Sequence, residues 1–272
     1  GLRFKSPQVI SHITGVQAKT GAKAEGWFVV CPLTPRQLTT LPVEFVYERI
    51  IQCGRIAADL GAKIIGLGAF TSVVGDGGVT VAKNLPIAVT TGNSYTVATA
   101  IEAARQANEM LGRRMEESEV AVIGATGSIG RTCALVLAPE ARRVTLIGRN
   151  AERLEAVAQE AREAGAREAR VATDINAALP DADIIITVTS AVGAVVHPEY
   201  LKPGAVVCDV ARPRDVSVRV ARERPDVLTI EGGVVQVPGS AVDFGFSFGF
   251  GPGTAYACMS ETMMLALDGR YE

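Results

Sequence analysis

The chain has 272 residues, 48% of them hydrophobic and 21% charged, with a formal net charge of −2; this is material for one large or two modest packed domains. The absence of a basic block argues against nucleic acid as a partner, and there is no uncharged apolar run of the roughly 18 residues a membrane span needs. The residues GLRFKSPQVI lack the apolar centre of a signal peptide. The five cysteines (Cys31, Cys53, Cys133, Cys208, Cys258) contain no CxxC pair, which fits a reducing cytoplasm better than a disulfide framework. His12 and His197 stand in no ligand-like spacing, so no metal site is expected.

In chain order, 26–33 (GWFVVCPL) reads as a buried strand. Pro42 opens a helix whose apolar residues recur at helical spacing until Gly61 stops it. Residues 63–68 and 86–92 read as strands, and Asn93 or Ser94 caps a long helix reaching about Arg114. A second series follows: strand 120–124, helix 131–138, strand 144–149 and amphipathic helix 151–165. Strands 169–173, 183–190, 205–211 and 227–233 come next, then a helix over 254–268. Alternating strands and helices predict an α/β fold, a Rossmann-type doubly wound parallel sheet with a smaller α/β substrate domain. The expected division is a substrate-side domain over 1–93, a linking helix over 94–118 and a nucleotide domain over 119–253. Residues 254–272 are expected to pack back on the first domain, with a cleft between the two.

VAVIGATGSIGR carries the strongest motif. Gly124, Gly127 and Gly130 follow a strand and open a helix, the context of a dinucleotide fingerprint. In that context one glycine makes the tight turn, the next admits pyrophosphate to the backbone, and the third lets helix and strand pack closely. The amides of Ala125, Thr126, Ser128 and Ile129 complete the phosphate site. After the next strand, where NAD-binding folds place an acidic residue, the chain has Arg149, Asn150 and then Arg153. Guanidinium groups there select NADPH through its 2′-phosphate. Thr189 and Ser190, in the segment 189–193, should flank the cofactor, and Gly232 and Gly233 should let backbone approach the nicotinamide.

Cys258 lies near the start of the 254–268 helix, after the run FGFSFGFGPG (244–253). Its residue type and spacing leave two readings open: a small buried plug or a nucleophile at a helix N-terminus capped by Thr254. The FGFSFGFG run reads equally as an acyl channel or as a glycine-spaced core loop. GVTVAKN (78–84) supports a different enzyme without a covalent step, in which Lys83 handles the proton. That alternative is an NADP oxidoreductase like shikimate dehydrogenase or methylene-tetrahydrofolate dehydrogenase; a non-catalytic NADP-binding protein is another.

The segments GAFTSVV (68–74), TTGNSYTVA (90–98), GATGSIG (124–130), IGRNAERL (147–154), EGGVV (231–235) and YACMSETMMLALDG (256–269) together resemble the cyanobacterial-type long-chain acyl-(acyl-carrier-protein) reductases. The resemblance covers about Gly26 to Gly269, although the FGFSFGFGPG run departs from that family. It implies reduction of a fatty acyl thioester, carried by acyl carrier protein or coenzyme A, to an aldehyde with NADPH. Cys258 matches the family's acyl-carrying cysteine. Cys31 also has a cysteine counterpart, but its apolar strand marks it as core. For such a mechanism Thr90, Thr91 or Asn93 could donate to the tetrahedral oxygen. Glu261, one turn from Cys258, reads as a proton carrier or as an ordinary surface carboxylate. A homo-oligomer is compatible with all of this.

Overall fold

The computed structural model describes residues 5–191 and 193–271. Strands β1 (Gln8–Gln17) and β2 (Lys23–Val30) form an antiparallel hairpin. They are followed by α1 (Pro35–Thr40), α2 (Val43–Asp59), β3 (Ile64–Gly66), α3 (Val79–Lys83), β4 (Ala88–Thr90) and α4 (Asn93–Met110). The next series is β5 (Glu119–Ile123), α5 (Ser128–Leu137), β6 (Arg143–Ile147), α6 (Ala151–Glu163), β7 (Ala169–Ala172), α7 (Ile175–Ala178), β8 (Ile184–Thr187), β9 (Val206–Asp209), α8 (Val218–Glu223) and β10 (Leu228–Glu231). The chain then forms β11 (Val234–Gln236), β12 (Thr254–Tyr256) and α9 (Ala257–Asp268). Among the described residues, no helix is long and apolar enough to cross a membrane.

By internal contact the chain divides into two compact units: Thr96–Gly233, and the residues up to Tyr95 together with those from Val234 onward. The boundary therefore falls at Gly233, not at 253. The reason is that β11 pairs antiparallel with β12, which joins the 234–256 stretch to the strand leading into α9.

The unit Thr96–Gly233 is an α/β fold with a six-stranded sheet in the order β10-β9-β8-β5-β6-β7. All its strand pairs are parallel. Renumbered within the sheet, that is the doubly wound order 3-2-1-4-5-6, with its switch point between β5 and β8. Strands β5, β8 and β9 are buried along their whole length, as a sheet covered on both faces requires. Val97, Ile101 and Ala104 of α4 pack with Leu137 and Leu154 on one face. On the other face Ile123, Ile147 and Ile185 meet Leu201 and Val220.

The other unit is built around α2 and the short parallel pair β3–β4. Val46, Ile50, Cys53 and Ala57 recur every three or four residues on the buried face of α2. The helix begins after Pro42, and the chain beyond it turns at Gly61, where φ is +92°. The segment 26–33 is not a buried strand: β2 spans Lys23–Val30 and is half-exposed. Its partner β1 escapes a periodicity reading because most of its residues face solvent.

Candidate functional site

In the Thr96–Gly233 unit, β5 delivers the chain into a turn that depends on glycine. Gly124 takes φ +85°, and a Cβ there would lie 2.4 Å from the Val188 carbonyl oxygen. A Cβ at Gly130 would lie 2.3 Å from the Gly124 carbonyl oxygen, so α5 can approach the strand only without one. Ala125 is fully buried and Ile129 packs against the core. Both side chains anchor the loop, which leaves backbone to face a ligand. Gly127 and Ser128 are exposed at the start of α5, and Gly127 as cap residue supplies no side-chain bond to that turn. Thr126, just before them, is half-buried. Exposed amides at a helix N-terminus, beside a turn with no room for side chains, fit a dinucleotide pyrophosphate.

Arg149 and Arg153 are exposed beyond the carboxyl end of β6, and neither guanidinium is in an ion pair with another described residue. Asn150 has a different role from the one expected: its side-chain oxygen accepts the Arg153 amide at 2.9 Å and caps α6. Thr189 is likewise turned inward. Its hydroxyl donates to Asp215 at 2.6 Å and accepts the Ala191 amide at 3.0 Å, while Ser190 is exposed. Of the 189–193 segment, Val192 lies outside the described residues. Gly232 and Gly233 are both buried. Gly232 is required for packing, because a Cβ there would lie 2.4 Å from Cys208 Sγ and 2.8 Å from Val210 Cγ2.

The sequence reading missed a pair of carboxylates at the carboxyl ends of β8 and β9. Asp209 and Asp215 are 2% and 0% exposed. Burial raises the Asp209 pKa, opposed by hydrogen bonds from the amides of Val216, Asp215 and Ala211. The only signal was local: an Asp ending a strand, and a second in the RPRD run that follows it.

In the other unit, β3 and β4 end side by side at Gly66 and Thr90, and α9 packs against β3. The contact is close because of glycine. A Cβ on Gly66 would strike Thr262 Oγ1 at 2.0 Å, and one on Gly92 would lie 2.4 Å from Cys258 Cα and 2.5 Å from its carbonyl oxygen. A Cβ on Gly68 would be in ordinary contact with Cys258 Sγ, at 3.9 Å. The thiol therefore sits at the carboxyl ends of two parallel strands, where α/β folds place their chemistry. Ala69, next to Gly68, has φ +48° and is the sole non-glycine with positive φ among the described residues. Such backbone strain clusters at functional sites.

Cys258 is the second residue of α9 and half-buried. Thr254 is not the cap: it belongs to β12, and the helix starts after Tyr256. Tyr256 gives the first turn no side-chain hydrogen bond, and no acidic residue lies in that turn. A thiolate at Cys258 would lie at the positive end of the helix dipole.

Glu261 is not a surface carboxylate; it is 9% exposed. It accepts the Thr90 hydroxyl at 2.5 Å and the Tyr95 amide, near the start of α4, at 2.7 Å. The Thr90 hydroxyl in turn accepts the Gly92 amide at 3.2 Å, so its proton is committed to Glu261 and not to an oxyanion. Glu261 ties α9 to the 90–95 turn and thereby positions Cys258. Thr91 and Asn93 are half-buried in that same turn, Asn93 as the first residue of α4. Lys83 is exposed at the end of α3, and no described residue is bonded to its side chain to orient it for proton transfer.

The FGFSFGFG run is a glycine-spaced aromatic cluster. Phe248 stands edge-on to Phe246, Phe244 and Tyr256 at 4.8, 5.4 and 5.8 Å, with Phe244 in the core and Phe246 exposed. A cavity of ≈ 160 Å³ lined by Tyr95, Val237, Ser260, Met263 and Leu267 lies along α9. At 100° per residue those helix positions face away from Cys258.

The cysteines differ in chemistry. Burial pushes the thiols of Cys133 and Cys208 up to about 12. The hydrogen bond between Cys53 and Cys31 lowers Cys31 and raises buried Cys53. Iodoacetamide at pH 8 should therefore label Cys258 and Cys31 in the native protein. Cys53, Cys133 and Cys208 should react only after unfolding, as read by peptide mass mapping. Native labelling of Cys133 or Cys208 would contradict their burial.

A family model described as shikimate/quinate 5-dehydrogenase matches residues 105–231. The unit Thr96–Gly233 is an NAD(P)-dependent oxidoreductase-like Rossmann domain. The chain is 30% identical over 259 residues to a Serratia protein named aminotransferase PigE, a match covering 94% of this chain and 30% of that protein. It thus spans less than a third of that relative's length. It is 28% identical over 295 residues to the long-chain acyl-[acyl-carrier-protein] reductase of Synechococcus elongatus, covering 99% of this chain and 81% of the relative. Among solved structures, the nucleotide-binding domain of glutamyl-tRNA reductase from Thermoplasma volcanium aligns with 49% of this chain and 84% of that one, at 21% identity and a TM-score of 0.36. The family model's span contains neither Cys258 nor Lys83.

Proposed function

We propose that this chain reduces an acyl thioester to an aldehyde with NADPH, through an acyl group carried on Cys258. The observation that supports this most is the setting of Cys258: half-buried in the first turn of α9, held against Gly92 at the ends of β3 and β4. The match to the Synechococcus reductase along 99% of this chain supports the same substrate class.

In this reading the Cys258 thiolate attacks the thioester carbonyl, the new C–S bond forms, the bond from the carbonyl carbon to the donor sulfur breaks, and the donor leaves as its thiolate, to be protonated by water. Backbone amides of the first turn of α9 and of the 91–93 turn are the candidate donors to the tetrahedral oxygen. Glu261 holds those two segments in register. The glycine loop at 124–130 would hold the cofactor's pyrophosphate, with Arg149 and Arg153 at the 2′-phosphate. Bound there, the nicotinamide supplies a hydride. When the acyl carbon has been reduced, its bond to Cys258 breaks, aldehyde departs and the thiolate is restored.

The test is to incubate the protein with acyl-coenzyme A and with acyl carrier protein thioesters and to look for a mass adduct on the Cys258 peptide. Addition of NADPH should discharge the adduct and release aldehyde. Aldehyde formation that persists after Cys258 is alkylated would sink the reading. Replacing Arg149 and Arg153 together by Ala should weaken NADPH binding by about 10–100-fold, the scale of one or two charged hydrogen bonds, and leave NADH nearly unchanged. Equal losses for both dinucleotides would remove the 2′-phosphate assignment.

A further inference from the structure

The carboxylate of Asp215 is fully buried, and among the described residues its hydrogen-bond partners are two threonine hydroxyls and an amide, with no cation. It accepts the Thr187 hydroxyl at 2.6 Å, the Thr189 hydroxyl at 2.6 Å and the Thr189 amide at 2.8 Å. Its own backbone carbonyl accepts the amides of Val195 and Val196 at 2.7 and 3.0 Å. One residue thus ties together the end of β8, the chain after the 189–193 segment and the loop after β9. Burying a carboxylate without a counter-ion is costly unless strong hydrogen bonds compensate. Apolar residues would fill the same space more cheaply.

The tie acts where a ligand would lie. Thr189 follows Val188, whose carbonyl oxygen abuts Gly124 of the phosphate loop at the start of the 188–191 turn. Asp209 supports the opposite side, its carboxylate accepting the Val216 amide at 3.0 Å and so folding the β9 loop back. In this sheet the dinucleotide crosses the switch point between β5 and β8. Its adenosine half belongs on the β6 side with Arg149, and its nicotinamide half on the β8 side with the 188–191 turn.

We propose that Asp215 is a positioning residue for the nicotinamide half of the cofactor, holding the 188–191 turn against the phosphate loop through Thr189. The proposal rests on the dinucleotide reading of that loop. Asp215 itself touches no cofactor; the turn it holds forms the wall.

Thr189→Val removes the hydroxyl that donates to Asp215 and keeps the side-chain volume, whereas Thr189→Ser keeps the hydroxyl. Binding of NADPH and of adenosine 2′,5′-bisphosphate is measured for wild type and both variants by titration calorimetry. Thr189→Val should raise the NADPH Kd about tenfold, the effect of one strong hydrogen bond. It should leave the bisphosphate Kd within about twofold, and Thr189→Ser should bind NADPH within about threefold of wild type, both less than half of a hydrogen bond's worth. A parallel rise in both Kd values shows general loosening of the fold and overturns the proposal, as does an unchanged NADPH Kd. Wild-type protein that binds neither NADPH nor NADH overturns the dinucleotide reading and this proposal with it. Asp215→Asn is the second variant: it should repeat the selective loss of NADPH affinity, and wild-type affinity in it overturns the assignment.

Discussion

Cys258→Ser should lower aldehyde formation by at least about 10³-fold, the scale expected when a covalent nucleophile is removed. Adduct formation with the acyl thioester should vanish in the same variant, because a serine hydroxyl at neutral pH lacks the anionic character that the α9 N-terminus offers a thiolate. NADPH binding should not change, since the phosphate loop belongs to the other compact unit. The contrast between lost acylation and retained cofactor affinity makes the result specific. A variant that loses both has merely misfolded, and one that keeps aldehyde formation refutes the covalent route. Cys31→Ser is the matching control and should keep acylation on Cys258.

Gly92→Ala should be nearly as damaging, although it alters no reacting atom. Gly92 has φ +72°, a region that costs a side chain about 1–2 kcal/mol. The added methyl would also lie 2.5 Å from Cys258 Cβ. Either the 90–93 turn or the start of α9 must move, and a displacement of about 1 Å can cost about 10² in rate. The expected outcome is a fall in kcat of that order, with thermal stability lowered by only about 1–3 kcal/mol. A stable Gly92→Ala protein with wild-type kcat would show that the contact between Gly92 and Cys258 does not matter to the chemistry.

The parts of the molecule that could be read from sequence are those whose causes are local. The glycine loop after β5 was legible because strand, glycines and helix follow one another within a dozen residues, and Gly130 answers to Gly124 in the same loop, whereas the close neighbour of Gly124 is the distant Val188. The parallel sheet followed from the β-branched strands alternating with helices. Thr254 misled because a threonine after glycine has the pattern of a cap; its role in β12 depends on Gln236, across the whole aromatic loop. Glu261 reads from sequence as either a proton carrier or a surface carboxylate, because its partners Thr90 and Tyr95 lie 171 and 166 positions away. Asn150 and Thr189, expected from the sequence to face the cofactor, instead use their side-chain oxygens within the protein, on the Arg153 amide and on Asp215. Asp215 shows the same limit: the hydroxyls it accepts, from Thr187 and Thr189, lie 28 and 26 positions away.

The position of α9 in the chain has a consequence for the order of events during synthesis. The β3–β4 platform and the 90–95 turn are made early, but Cys258 and Glu261 reach them only after the entire Rossmann segment has been translated. At elongation rates of about 5–20 residues per second that interval is roughly 10–35 s. Throughout it Gly66, Gly68 and Gly92 present a bare strip of backbone with no helix upon it, and the Thr90 hydroxyl lacks its acceptor. The nascent chain can therefore acquire its dinucleotide fold before it has a nucleophile, and the arrival of α9 completes the site in a single late step.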